Sequence, residues 1–138
     1  MKTNDALEIL LKAFSEYSFH YQFIKELGEL LKRELKGKEK AFFKCLATQL
    51  NQIKTLGILV NTADAHEIIK GFDGHYYSIH LQQKQFNIRF LTHISSDGAV
   101  VFLCAFYERS GHHKTSYQDF LPVLEQRFRE IQGVDDYE

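Results

Sequence analysis

The sequence predicts an α+β fold, an antiparallel β-sheet meander with N-terminal helices packed on one face and a C-terminal helix. Three observations predict it. Apolar residues recur with a helical period through the first half of the chain. After residue 75 they alternate with polar residues at period two in successive segments. Those segments are joined by tight-turn signals, too short for the crossovers that parallel strands need. The 138 residues fit one domain, and a composition of 44% hydrophobic and 25% charged residues excludes a disordered chain. One proline and eight glycines argue against linkers.

Each element follows from its pattern. Asn4 or Asp5 caps a first helix over residues 4–14, with Leu7, Leu10, Leu11 and Phe14 on one face; residues 1–16 form an N-terminal addition to a core of 17–131. Tyr17, Phe19, Tyr21 and Phe23 alternate with Ser18, His20 and Gln22, which predicts a half-buried strand over 17–23. Leu27, Leu30, Leu31 and Leu35 then form a helical stripe that Gly37 breaks. A second helix over 39–56 buries Phe42, Phe43, Leu46, Leu50 and Ile53. In 58–74, Asn61, Thr62 and Asp64 suggest a loop and HEIIKG a short strand or turn.

From there the alternation is regular. Tyr77, Ile79 and Leu81 face one way, and Tyr76, Ser78 and His80 the other. QQKQ is a hairpin loop. Phe86, Ile88 and Phe90 alternate with Asn87, Arg89 and Leu91, and SSDG at 95–98 is a turn. The unbroken run AVVFLCAF reads as a central strand covered on both faces. After the polar loop ERSGHHKTS, Phe120, Leu124, Phe128 and Ile131 form the stripe of a last helix. Pro122 is tolerated only in a first turn, so that helix starts near Tyr117 or Gln118. Residues 132–138 form a flexible acidic tail. With the helices on one face, the other face of the sheet is expected to be partly open and polar.

Charge and motifs narrow the function classes. The net charge is -1, so contact with a nucleic acid requires a local cationic patch. Cys45 and Cys104 sit among apolar neighbours and read as buried reduced thiols of a cytoplasmic protein. The N-terminus lacks a signal-peptide pattern, and no apolar run approaches the roughly 20 residues of a membrane span. No GxSxG, phosphate-binding or dinucleotide glycine loop, or CxxC occurs. The pair His112 and His113 lacks a second ligand pair with metal spacing, so no metal and no other cofactor is expected. His20 and His66 read as structural or exposed.

Candidate chemistry lies on the polar row. The hairpin sets Tyr76, Ser78 and His80 beside Asn87, Arg89 and His93 on one face. The following loop adds Arg109, His112, His113 and Lys114, and Tyr117 opens the last helix. A metal-free ribonuclease needs such groups. The ribose 2′-OH loses a proton as it attacks phosphorus, the leaving 5′-oxygen gains one, and the charged intermediate requires cations. The same row also fits the plain wetted side of a sheet, and Arg89 a surface ion pair.

The stretch IIKGFDGHYYSIHL, FNIRFLTHIS, GAVVFLCAFYERSG and KTSYQDF resembles, in that order, the RelE/HigB superfamily of toxins of type II toxin–antitoxin systems, especially its phage-derived HigB-like branch. The resemblance covers about 75 residues, from about Ala65 to the last helix. It implies a RelE/ParE-like fold and a ribosome-dependent, metal-independent mRNA endonuclease that inhibits translation. It implies as partners the ribosome, mRNA and a cognate antitoxin with a helix-turn-helix domain, HigA-like. Arg89 matches the phosphate-contacting arginine of the middle strand, His80 stands where relatives often carry a basic residue, Arg109 matches the basic position after the central strand, and Tyr117 lies near a catalytic tyrosine position, so the resemblance implies His80, Arg89, Arg109 and Tyr117 as the catalytic set. RNA contacts fall to Tyr76, Ser78, His93, His112, His113 and Lys114. The chain departs from its relatives in its weak charge and in Glu108, which stands where they carry a second lysine. Two alternatives share the fold: a non-enzymatic ParE-like toxin acting on gyrase, and an inactive binding module from a mobile element. The nuclease reading requires residues 80, 89, 109 and 117 to meet on an uncovered side of the sheet.

Overall fold

The computed structural model describes residues 3–56, 69–108 and 117–132. Its elements run α1 (Thr3–Ala13), β1 (Ser18–Phe19), α2 (Tyr21–Lys32), α3 (Glu39–Leu56), β2 (Ile69–Asp73), β3 (Tyr76–Gln83), β4 (Phe86–Ile94), β5 (Val100–Tyr107), a 3₁₀ turn (Tyr117–Phe120) and α4 (Leu121–Gln132). The class is α+β, as expected. Among the described residues, no helix is long and apolar enough to cross a membrane.

The strand expected over 17–23 is mostly helix. Only Ser18 and Phe19 are extended, and α2 begins at Tyr21. His20 caps it: its backbone is extended, and its Nδ1 accepts the Gln22 N–H at 3.0 Å. The stripe Phe23, Leu27, Leu30 and Leu31 is fully buried and draws the helix back through Phe23, leaving Tyr21 57% exposed. Four aromatics at period two were therefore a coincidence of a short strand running into a helix. Gly37 ends the region in the left-handed conformation, φ 81°, that favours glycine.

The sheet order is β1-β5-β4-β3-β2. β2 to β5 form the expected antiparallel meander, but β1 pairs with β5 in parallel, Ser18 with Val101 and Phe19 with Phe102. The sheet is therefore mixed, a correction to the purely antiparallel expectation. A bulge in β5 leaves one extra residue, Leu103, between the Thr92–Phe102 and Leu91–Cys104 pairs.

One face carries the main core. Phe90 and Phe102 of the sheet meet Phe23 of α2 and Phe42 of α3. Ring centroids are 4.8 Å apart for Phe23 and Phe90, and 5.4 Å for Phe23 and Phe102. From α1, Ala6 and Leu10 enter the same cluster, so the N-terminal helix packs on the core.

The other face is not left open. Leu91, Leu103, Cys104 and Leu124 form a second buried cluster, flanked by Tyr76, Val101, Phe106, Phe120 and Phe128. This corrects the expectation of helices on one side only, and both causes lie in the sequence. The run AVVFLCAF is apolar on both sides of its strand, and the stripe of α4 needs an apolar surface to cover. The bulge then supplies it by turning Leu103 and Cys104 toward the same face.

Polar ties hold α4 in place. Because β1 is only two residues long, β5 has a bare edge past Phe102. There the Ala105 N–H donates to Glu26 Oε1 at 3.0 Å, and Arg127 donates to the Leu103 carbonyl at 2.7 Å and to Glu26 at 3.0 and 3.1 Å. Burial works against the Arg127 charge, yet its bonds to Glu26 prevail and raise its pKa. With Nδ1 accepting from Gln22, His20 carries its proton on Nε2 and donates it to Glu130 Oε1 at 2.6 Å. Cys45 and Cys104 are both buried free thiols, and burial, then the Glu26 charge, pushes Cys104 up to about 12.

Candidate functional site

The hairpin of β3 and β4 sets His80 directly opposite Arg89, and β5 sets Phe106 opposite Arg89 on its other side. One row across three strands therefore reads His80, Arg89, Phe106. The next row reads Gln82, Asn87 and Glu108; the Glu108 N–H donates to the Asn87 carbonyl at 2.8 Å and extends the ladder by one rung. All six residues lie on the face of α4, because Leu81, Ile88 and Ala105 occupy the core face.

Arg89 is buried, 8% exposed, and donates to the Asn87 side-chain oxygen, to the Ile88 carbonyl at 3.4 Å and to Gln82 Oε1 at 3.5 Å. These three acceptors are neutral. They hold the guanidinium in a fixed orientation on the sheet. Arg89 is thus enclosed within the sheet face and is not the surface residue that its sequence position suggested. His80 is half-buried beside it. Phe106 stacks on Phe120 at 5.2 Å with an interplanar angle of 6°, which brings the 3₁₀ turn over the end of β5.

The expected RNA-contacting residues divide. His93 pairs with Tyr76 in register, and its ring stacks on Phe128 of α4 at 3.8 Å. Burial, and next the nearby His75, lower its pKa to about 4, so at neutral pH it is an uncharged packing ring. Tyr76 packs edge-on to it at 5.4 Å, half-buried at the margin of the second cluster. Ser78 is fully buried, and its hydroxyl finds no hydrogen-bond partner among the described residues. These three residues lie under the α4 side of the sheet, not on an open face. Arg109, His112, His113 and Lys114 lie outside the described residues, and Tyr117 is placed as the first residue of the 3₁₀ turn. Of the four residues required to meet, the structure thus brings together His80 and Arg89, on a face that α4 covers in part.

Sequence reasoning missed Gln82 and Glu108 as members of the rows, although both continue the period-two spacing from His80 and Phe106. It also missed His20, Glu26, Arg127 and Glu130 as ties between helices. Their spacing carries no signal, since each pair is separated by about a hundred residues. A cleft of about 320 Å³ lies at the other end of the sheet, lined by Tyr17, Ser18, Ile53, Lys54, Asp97 and Val100 among others. It is remote from the His80 row. Among the described residues no group of three or more His, Cys, Asp or Glu side chains could hold a metal ion.

No protein-family model, curated protein or solved structure matches this chain.

Proposed function

We propose that this protein is a ribosome-dependent mRNA endonuclease of the RelE/HigB kind, a toxin held in check by a helix-turn-helix antitoxin, cutting RNA without a metal. One observation carries the reading: His80 and Arg89 are cross-strand partners on one face, and the Asn87 and Gln82 side-chain oxygens orient the guanidinium. A scissile phosphate set on Arg89 has its developing charge stabilised in place. His80, one strand away, is within reach to pass a proton to the leaving 5′-oxygen. The family resemblance adds Arg109, His112, His113, Lys114 and Tyr117 as further candidate groups. The near-neutral total charge suits an enzyme whose RNA is delivered by the ribosome rather than captured from solution.

The test is expression in growing cells with primer extension on a reporter mRNA. New 5′ ends that require translation, and that fall by about 10²–10⁴-fold in His80→Ala, are expected. Growth arrest without cuts, accompanied by a DNA-damage response, selects the gyrase-directed reading instead. No arrest and no cuts leave the inactive binding module.

A further inference from the structure

The residue that breaks the cationic pattern is Glu108, and its position gives it a part in the chemistry. The Glu108 N–H bond to Asn87 continues the β4–β5 register, in which Ile88 pairs with Tyr107 and Arg89 with Phe106. Glu108 therefore lies opposite Asn87, on the face of Arg89 and His80. A diagonal neighbour in an antiparallel pair stands about 7–8 Å away, within reach of two long side chains. Its carboxylate does not simply trail into solvent: the residue is half-buried, and Oε2 is enclosed. Arg89 lies between it and His80. A phosphate seated on the guanidinium thus has a carboxylate on one side and an imidazole on the other.

We propose that Glu108 is a catalytic residue, the general base of the RNA cleavage, and this assignment rests on the nuclease reading above. The Glu108 carboxylate takes the proton of the ribose 2′-OH as the O2′–P bond forms. The P–O5′ bond breaks with its electron pair going to O5′, and protonated His80 gives O5′ its proton. The products are a 2′,3′-cyclic phosphate end and a 5′-hydroxyl end. No oxidant, reductant or metal enters the balance. The lysine-to-glutamate departure in the FYERS motif then becomes a change of base rather than a loss of activity.

The experiment is single-turnover cleavage of a short defined mRNA on purified ribosomes by the wild-type protein, Glu108→Gln and Glu108→Asp across a pH series. Glu108→Gln keeps the size and the hydrogen-bonding capacity of the side chain and removes one negative charge. Its rate is expected to fall by about 10²–10⁴-fold while binding is unchanged or tighter, so the loss lies in kcat and not in KM. The rising acid limb of the rate profile, which reports deprotonation of the base, disappears in Glu108→Gln and returns in Glu108→Asp. Wild-type cleavage with an equally fast Glu108→Gln overturns the assignment and leaves the nuclease reading standing. A slower Glu108→Gln with the wild-type profile intact and a lowered melting temperature shows a structural carboxylate, and likewise overturns it. No cleavage by the wild-type protein on ribosomes overturns the nuclease reading and the assignment together.

Discussion

Toward α1, α2 and α3 the central strands present Phe86, Ile88, Phe90 and Phe102, and every one of these is almost completely buried in a continuous aromatic core. Toward α4 the same strands present Leu91, Leu103 and Cys104 over one part of the sheet and His80, Asn87 and Arg89 over another. Period two guarantees that a strand has two sides, but not that they are alike. The first face is uniform because three helices share one apolar surface. The second is divided because a single helix covers only part of it, so polar groups persist next to a dry cluster, with the Asn87 and Gln82 side chains bonded to Arg89. Stability is therefore concentrated on one side, and charged groups with orientation but little solvent on the other.

Substitutions on the two faces should separate these roles. The largest loss of stability is expected for Phe102→Ala, which opens a cavity where Phe19, Phe23 and Phe90 meet. About 3–5 kcal/mol should disappear in urea unfolding, and a loss below about 1 kcal/mol would contradict the packing described. Leu124→Ala removes the α4 anchor from the smaller cluster and should cost about 2–3 kcal/mol, at the low end for a buried leucine because several of its neighbours are only partly buried. A loss as large as that of Phe102→Ala would show that the two clusters act as one core.

The pH dependence probes the boundary between the faces. His93 is held below its unfolded value by burial and by His75, to about 4. Between roughly pH 6.5 and 4 the unfolded chain binds a proton that the folded chain refuses. The stability that neutral His93 contributes is present above about pH 6.5 and is lost as the pH falls toward 4. After discounting for solvent screening of a half-exposed group, the span is about 1–2 kcal/mol. His93→Phe keeps a ring against Phe128 and should flatten that part of the stability curve; unchanged acid sensitivity in the variant would remove His93 as its source. The smallest effect is expected at the exposed pair Lys54–Glu16, 3.4 Å apart with both side chains more than half exposed. Lys54→Ala should change stability by less than about 0.5 kcal/mol and lose even that in high salt.

Much of this molecule follows from residue order alone. The stripes of α1, α3 and α4, the β3–β4 hairpin, the turn at 95–98 and the facing of His80 and Arg89 come from local periodicity, which depends only on 3.6 or 2 residues per repeat. The run AVVFLCAF even announces a strand covered twice. Tertiary structure decided the rest. The segment over 17–23 satisfies both periods, and only the packing of Phe23, Leu27, Leu30 and Leu31 on β5 and its neighbours resolves it into a two-residue parallel strand and a helix. The bulge at Leu103 and the docking of α4 over Leu91 and His93 depend on partners distant in the chain, as do the ties from His20 to Glu130 and from Glu26 to Arg127. A periodic pattern states that a face is apolar. Which element covers it, and which charges are enclosed at its margin, is settled only when separated segments compete for the same surface.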